Sequence, residues 1–112
     1  ANGGVNIGSA NITANSTSAN VNISSNAGNI VLGNIQDSGN LTVNSAANIS
    51  QNAGTSIIAT NNTTLNSAGN ITLNNNTNDF NQVSVLTGNN VSLQDANDLT
   101  LGDSGFSGNF TA

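Results

Sequence analysis

The segment Ser67-Ala68-Gly69-Asn70-Ile71-Thr72-Leu73 decides the fold. Its last four residues are a unit that recurs along the chain: Asn, an apolar residue, Ser or Thr, and a second apolar residue. Asn40-Leu41-Thr42-Val43 and Asn90-Val91-Ser92-Leu93 are further copies. An alternation of period two reads as a short strand with one buried face. Val, Ile and Thr suit such a pleated surface. Between the units lie Gly, Asn, Ser and Ala, the composition of turns. Nothing supports a long amphipathic helix.

The units form two interleaved series. Ile12, Ile30, Ile49, Ile71, Val91 and Phe110 follow one another at 18, 19, 22, 20 and 19 residues. Val21, Leu41, Thr63, Val83 and Leu99 follow at 20, 22, 20 and 16, about half a period out of step. A period near 20 with short strands describes an all-β, parallel β-solenoid in which each coil gives one strand to each sheet. The core is expected to be columns of these apolar residues, each worth roughly 1.5–3 kcal/mol when buried. At about 20 residues per coil, residues 1–112 make a single segment of five to six coils, roughly 25–28 Å long at strand spacing. Both ends of the chain read as ordinary repeat, so the segment is expected to belong to a longer rod or to a unit that stacks end to end.

The residue before each apolar position supports this spacing. In the first series it is Asn11, Asn29, Asn48, Asn70, Asn90 and Asn109; in the second it is Asn20, Asn40, Asn62, Gln82 and Asp98. Identical amides stacked about 4.8 Å apart can hydrogen-bond up a column, so the Asn are read as structural ladders. Asn also tolerates the left-handed backbone of a tight corner. Gly28, Gly39, Gly69 and Gly108 precede ladder Asn and add backbone freedom there. Two places depart from the pattern. Ile57-Ile58-Ala59 and Asp79-Phe80 fall outside both series and point to a bulge or to a third, less regular face.

Composition narrows function. The 112 residues include 26 Asn, 14 Ser and 12 Thr, with no Lys, Arg, His, Cys, Pro, Tyr, Trp, Met or Glu. Disorder is disfavoured, because 27 residues are Val, Ile, Leu or Phe, regularly spaced, and the net charge is only −5. Without cations the chain cannot neutralise phosphates, which argues against nucleic-acid binding. No apolar run approaches the ~20 residues of a membrane-spanning helix.

At the level of repeat style, Gly88-Asn89-Asn90-Val91-Ser92-Leu93-Gln94-Asp95-Ala96-Asn97-Asp98-Leu99-Thr100-Leu101-Gly102 resembles the repeats of filamentous-haemagglutinin-like proteins. So do Ala27-Gly28-Asn29-Ile30-Val31-Leu32 and the segment from Ser67 to Leu73. The resemblance implies a right-handed parallel β-helix, exported by a bacterium through a two-partner or autotransporter route and used in adhesion or biofilm contact. It therefore implies a secreted or cell-surface location. The chain has no Pro, so the Asn-Pro motifs of that family's secretion domain are absent, and the likeness is to its repeat region.

Chemical sites are weighed on the five carboxylates Asp37, Asp79, Asp95, Asp98 and Asp103. Acid–base catalysis needs a basic partner or a tight carboxylate pair, so the chain is expected not to be an enzyme and to carry no cofactor. Asp79 and Asp98 lie 19 residues apart and are weak calcium candidates, since a hard cation relieves stacked like charges. The nonapeptide calcium repeat of other solenoids is missing, which favours a solvated corner. Eleven Asn-x-Ser/Thr sequons arise from the strand pattern itself. An ice-binding face would repeat Thr in pairs, whereas the outward row reads Thr13, Val31, Ser50, Thr72, Ser92 and Thr111. The leading expectation is a structural or adhesive segment of an extracellular bacterial filament, a stiff protease-resistant rod. The alternatives are a self-polymerising matrix subunit and an ice- or carbohydrate-binding solenoid. Expected partners are other coils, copies of the chain end to end, and host-surface or matrix carbohydrate, without membrane insertion.

Overall fold

A computed structural model describes residues 5–6, 11–14, 20–25, 28–96, 99–102, 104–105 and 107–111, the first two segments as backbone only. The strands in chain order are β1 (Val5–Asn6), β2 (Asn11–Ala14), β3 (Val21–Ser25), β4 (Ile30–Leu32), β5 (Asn34–Asp37), β6 (Leu41–Ser45) and β7 (Ile49–Gln51). They continue as β8 (Ile57–Ser67), β9 (Ile71–Leu73), β10 (Asp79–Thr87), β11 (Val91–Leu93), β12 (Thr100–Leu101) and β13 (Phe110–Thr111). They pair in parallel and stack as a β-solenoid of about four turns, without helices among the described residues.

Each coil has three faces. Face one is the sheet β1-β4-β7-β9-β11-β13, whose rungs stand at Val5, Ile30, Ile49, Ile71, Val91 and Phe110. Face two stacks β2 on β5 and β5 on the first residues of β8, which pair in turn with the start of β10. Face three stacks β3, β6, the second half of β8, the second half of β10 and β12. Parallel sheets are ordinarily covered on both sides and read as continuous apolar runs. Here each sheet closes on the other two and meets solvent outside, so alternation survives: Ile71 and Leu73 are buried while Thr72 is exposed.

The departures in the sequence pattern now have a place. Ile57 and Ala59 stack on Ile35 and Asp37, and Phe80 stacks on Ala59, so these residues belong to face two, the additional face that neither series covers. β8 and β10 run through the corner between faces two and three as continuous strands. The corner of β8 holds one residue more than that of β10, seen as a register shift between Phe80 and Gln82. That bulge contributes to the 22-residue spacing from Ile49 to Ile71.

Three sequence readings are corrected. Ile12, expected to head the first column, pairs with Ile35 on face two, with Asn11 opposite Asn34 and Thr13 opposite Gln36. The first-column residue of that coil is Val5, 25 positions before Ile30. The reading failed because Asn-Ile-Thr suits any of the three faces equally. The backbone register opposite Val83 falls on Leu101 rather than Leu99, although Leu99 is half-buried against the core. Finally, no non-glycine residue among those described has a positive φ, so the corners do not use left-handed Asn; only Gly54 is left-handed, at φ 79°.

The core is one continuous cluster that includes Ile30, Ile49, Ile71 and Val91 in one column and Leu41, Val43, Leu65, Val83 and Val85 on face three. No helix among the described residues is long and apolar enough to cross a membrane. Thr63 is the exception in its column. It stands between Leu41 and Val83, fully buried, and its Oγ1 has no hydrogen-bond partner. A buried hydroxyl without a partner costs about 1–3 kcal/mol. Thr63→Val keeps the shape and removes that cost, so chemical denaturation should show a gain of about 1 kcal/mol or more. A loss of stability on this substitution would show that Oγ1 is satisfied.

Candidate functional site

The feature repeated most faithfully is a clamp at the corner between faces three and one. The Asn48 N–H donates to Asn29 Oδ1 at 3.0 Å while the Ile30 N–H donates to the Asn48 carbonyl at 2.9 Å. The same pair of bonds joins Asn48 to Asn70, Asn70 to Asn90 and Asn90 to Asn109, with side-chain distances of 2.8, 3.1 and 2.9 Å. On face three the Asn40 N–H donates to Asn20 Oδ1 and the Asn62 N–H to Asn40 Oδ1. The ladder therefore runs from backbone N–H to side-chain carbonyl, not from amide to amide. Of the expected ladder residues, Asn11 is placed on face two by its backbone alone.

A second column supports these corners. Ser25, Ser45 and Ser67 stack in register and are all buried. Ser45 Oγ donates to the Gly28 carbonyl at 3.0 Å and accepts from the Ala47 N–H at 3.1 Å; Ser67 Oγ binds the Ala47 carbonyl and the Gly69 N–H. Each hydroxyl thus ties its own corner to the one before it. Gly69 matters for space, since a Cβ there would lie 2.3 Å from Asn48 Oδ1, the atom that accepts from Asn70. Sequence reading missed the serines. Their signal was a Ser three or four residues ahead of Asn29, Asn48 and Asn70.

At the corner between faces one and two the apolar columns carry two amides. Gln51 takes the place that Leu32 holds one coil earlier, and Asn78, fully buried, extends the column of Ile35 and Ile57. Each amide donates to the other at 2.8 Å. Asn78 Oδ1 also accepts from the Ile57 N–H, and its Nδ2 also donates to the Leu73 carbonyl, which fills its hydrogen-bonding capacity. The sign in the sequence was Ile49-Ser50-Gln51, where Ile30-Val31-Leu32 and Ile71-Thr72-Leu73 end in Leu. Beside this pair Gly54, Ser56, Asn74, Asn75, Asn76, Thr77 and Gln94 line a polar depression of about 420 Å³.

The outer side of face one is uncharged. Asn48, Asn70, Asn90 and Asn109 form one exposed row, and beside it Ser50, Thr72, Ser92 and Thr111 form the next, in which Thr72 and Thr111 are exposed and Ser50 and Ser92 half-buried. Asn52, Asn74 and Gln94 follow as a third, also exposed. Thr13 is not in the hydroxyl row; Asn6 is the partner of Val31 there. Between the first two rows runs a shallow groove of about 270 Å³ over three rungs, lined by Asn70, Thr72, Asn90, Ser92, Asn109 and Thr111 together with Ile71 and Val91.

The carboxylates do not converge. Asp79 lies on face two opposite Ile58, Asp95 follows β11, and Asp98 and Asp103 lie outside the described residues. No group of three or more metal-ligating side chains occurs among the described residues. Asp37 is buried on face two. Its Oδ1 caps the Gly39 N–H at 2.9 Å and its Oδ2 has no hydrogen-bond partner, in a chain without a single cationic side chain.

A family model described as Repeats of unknown function (DUF5649) matches residues 18–87 and again 88–112, and the chain belongs to that family. Neither the curated proteins nor the solved structures contain a match.

Two substitutions separate the roles of these amides. Asn70→Ala removes the acceptor for the Asn90 N–H and should cost about 1 kcal/mol in denaturant unfolding, whereas Asn70→Asp keeps an acceptor oxygen and should cost clearly less. Equal losses would mean that Oδ1 is not the operative atom. For the pair of buried Asn78 and half-buried Gln51, a double-mutant cycle of Gln51→Ala and Asn78→Ala should give a coupling energy of about 1–3 kcal/mol. Additive losses would show that the two amides act independently.

Proposed function

We propose that this chain is a structural segment of a bacterial surface or secreted filament, in which the solenoid acts as a stiff shaft that carries load between its coils. The observation that carries the reading is the unbroken series of clamps from Asn29 through Asn48, Asn70 and Asn90 to Asn109. Each coil is bonded to the next at the same corner by a side chain and a backbone group together. Pulling along the stack therefore loads a whole rung of parallel bonds at once. Nothing in the clamp depends on charge, so salt should leave it intact.

The resemblance of the repeats to filamentous-haemagglutinin-like proteins supports a shaft or adhesin stalk outside the cell. The described residues form a body of 30 × 29 × 26 Å, as wide as it is long, so a rod arises when such segments follow one another in series. Peptide bonds after Lys and Arg, the sites of trypsin-like proteases, do not occur.

Single-molecule pulling tests the proposal. Held at its two ends between folded marker domains, the chain should lengthen in steps of one coil, roughly 65–70 Å for about 20 residues. Asn70→Ala and Asn90→Ala should lower the force of the steps that break those rungs. Smooth extension without steps, or steps whose force ignores both substitutions, would exclude a shaft held by these clamps.

A further inference from the structure

The ladder decides which half of each amide faces outward. Asn48, Asn70 and Asn90 each commit Oδ1 to the N–H of the Asn one coil on, and no group among the described residues takes their Nδ2 protons. An amide nitrogen carries two protons. Face one therefore presents a row of NH₂ donors at rung spacing, ~4.8 Å. Beside it the hydroxyls of Thr72, Ser92 and Thr111 have no protein partner among the described residues, and each can donate or accept. The groove of about 270 Å³ runs between the two rows.

We infer that this groove is a docking surface for a neutral, extended polysaccharide lying along the stack, its oxygens meeting the NH₂ row and its hydroxyls meeting the Thr and Ser row. Three observations select that occupant. The groove is lined without any charged residue, and the chain has no cation and a net charge of −5, so acidic polysaccharides and nucleic acid are repelled. Its donors repeat along one line, which suits a polymer with a regular repeat better than a single small molecule. It is shallow and polar, so each rung binds weakly and affinity accrues over successive rungs of one strand of ligand. This surface is independent of the mechanical role of the clamps, since it uses the amide nitrogens and the clamps use the oxygens.

Retention of the chain on insoluble cellulose and chitin, in 0.1 M and in 1 M salt (roughly one Debye length of 10 Å and of 3 Å), tests the proposal. Wild type should be retained equally at both salts. Thr72→Glu/Thr111→Glu, two rungs apart on face one, should reduce retention at least tenfold. Thr42→Glu/Ser84→Glu, placed the same way on the outer side of face three, should leave it unchanged. Circular dichroism of each variant confirms that it is folded. No retention of folded wild type on either polymer overturns the proposal, as does an equal loss in the face-three variant. Inhibition of ice recrystallisation without polysaccharide retention would reassign the face to ordering water and would overturn it too.

Discussion

Everything regular in this molecule depends on one hydrogen bond, from the N–H of a corner residue to the side-chain oxygen of the Asn one coil earlier. Stacked strands satisfy each other's backbone, but at a corner the strand stops and the N–H needs an acceptor from elsewhere. Asn reaches one rung and no farther. Ser and Thr end one bond too early, and in this structure the hydroxyls of Ser45 and Ser67 serve the corner carbonyls instead. Asp would place like charges about 4.8 Å apart, each pair repelling by roughly 0.9 kcal/mol even at the dielectric constant of water. A neutral side chain of this length is the remaining choice, and its repetition accounts for most of the compositional bias.

The energetics rank the contributions. Four ladder bonds on face one, at about 1 kcal/mol each, are sizeable beside the roughly 5–15 kcal/mol net stability of a domain. They are still smaller than the burial of the apolar columns, at roughly 1.5–3 kcal/mol for each side chain. The columns hold the coils together, and the ladder sets how the corners superpose. A consequence reaches the surface: with Oδ1 of Asn29, Asn48, Asn70 and Asn90 committed to the stack, the exposed edge of face one is left with donors along those rungs.

The period, the parallel stacking, the position of the ladder Asn and the inward series from Ile30 to Phe110 were legible in the sequence, because each recurs at nearly constant spacing. Two of the readings that were not legible have a common cause. Asn11-Ile12-Thr13 has the same pattern as the face-one units but lies on face two, because alternation says which side of a strand is buried and not which of three sheets holds it. Leu99 and Leu101 are both apolar and two positions apart, so periodicity cannot choose between them. The absence of left-handed Asn was unpredictable for a different reason. Conformational tolerance and an acceptor oxygen are both properties of Asn, and composition does not show which one a corner uses.

The polar groups inside the core follow two different logics. Thr63 Oγ1 and Asp37 Oδ2 are buried without partners, and each weakens the fold it belongs to. Gln51 and Asn78 are also polar residues in apolar columns, yet they bond to each other in both directions, and backbone groups of Ile57 and Leu73 complete Asn78. A stack of near-identical coils has a problem that an ordinary core lacks, since sliding one coil against the next re-pairs like with like. Most columns would not resist: Ile meets Ile, Ser meets Ser, Asn meets Asn. The Gln51–Asn78 pair would resist, because any slip separates two amides that occur once and strands the buried Asn78 against aliphatic neighbours, at about 1–3 kcal/mol for such a buried group. The loops at Asn52–Thr55 and Asn75–Thr77, which bond to Gln51 through the Thr55 carbonyl and the Asn75 N–H and to each other through Asn75 Nδ2, break the repeat at the same place. Where the sequence departs from its own period, the molecule acquires the asymmetry that selects one register out of several.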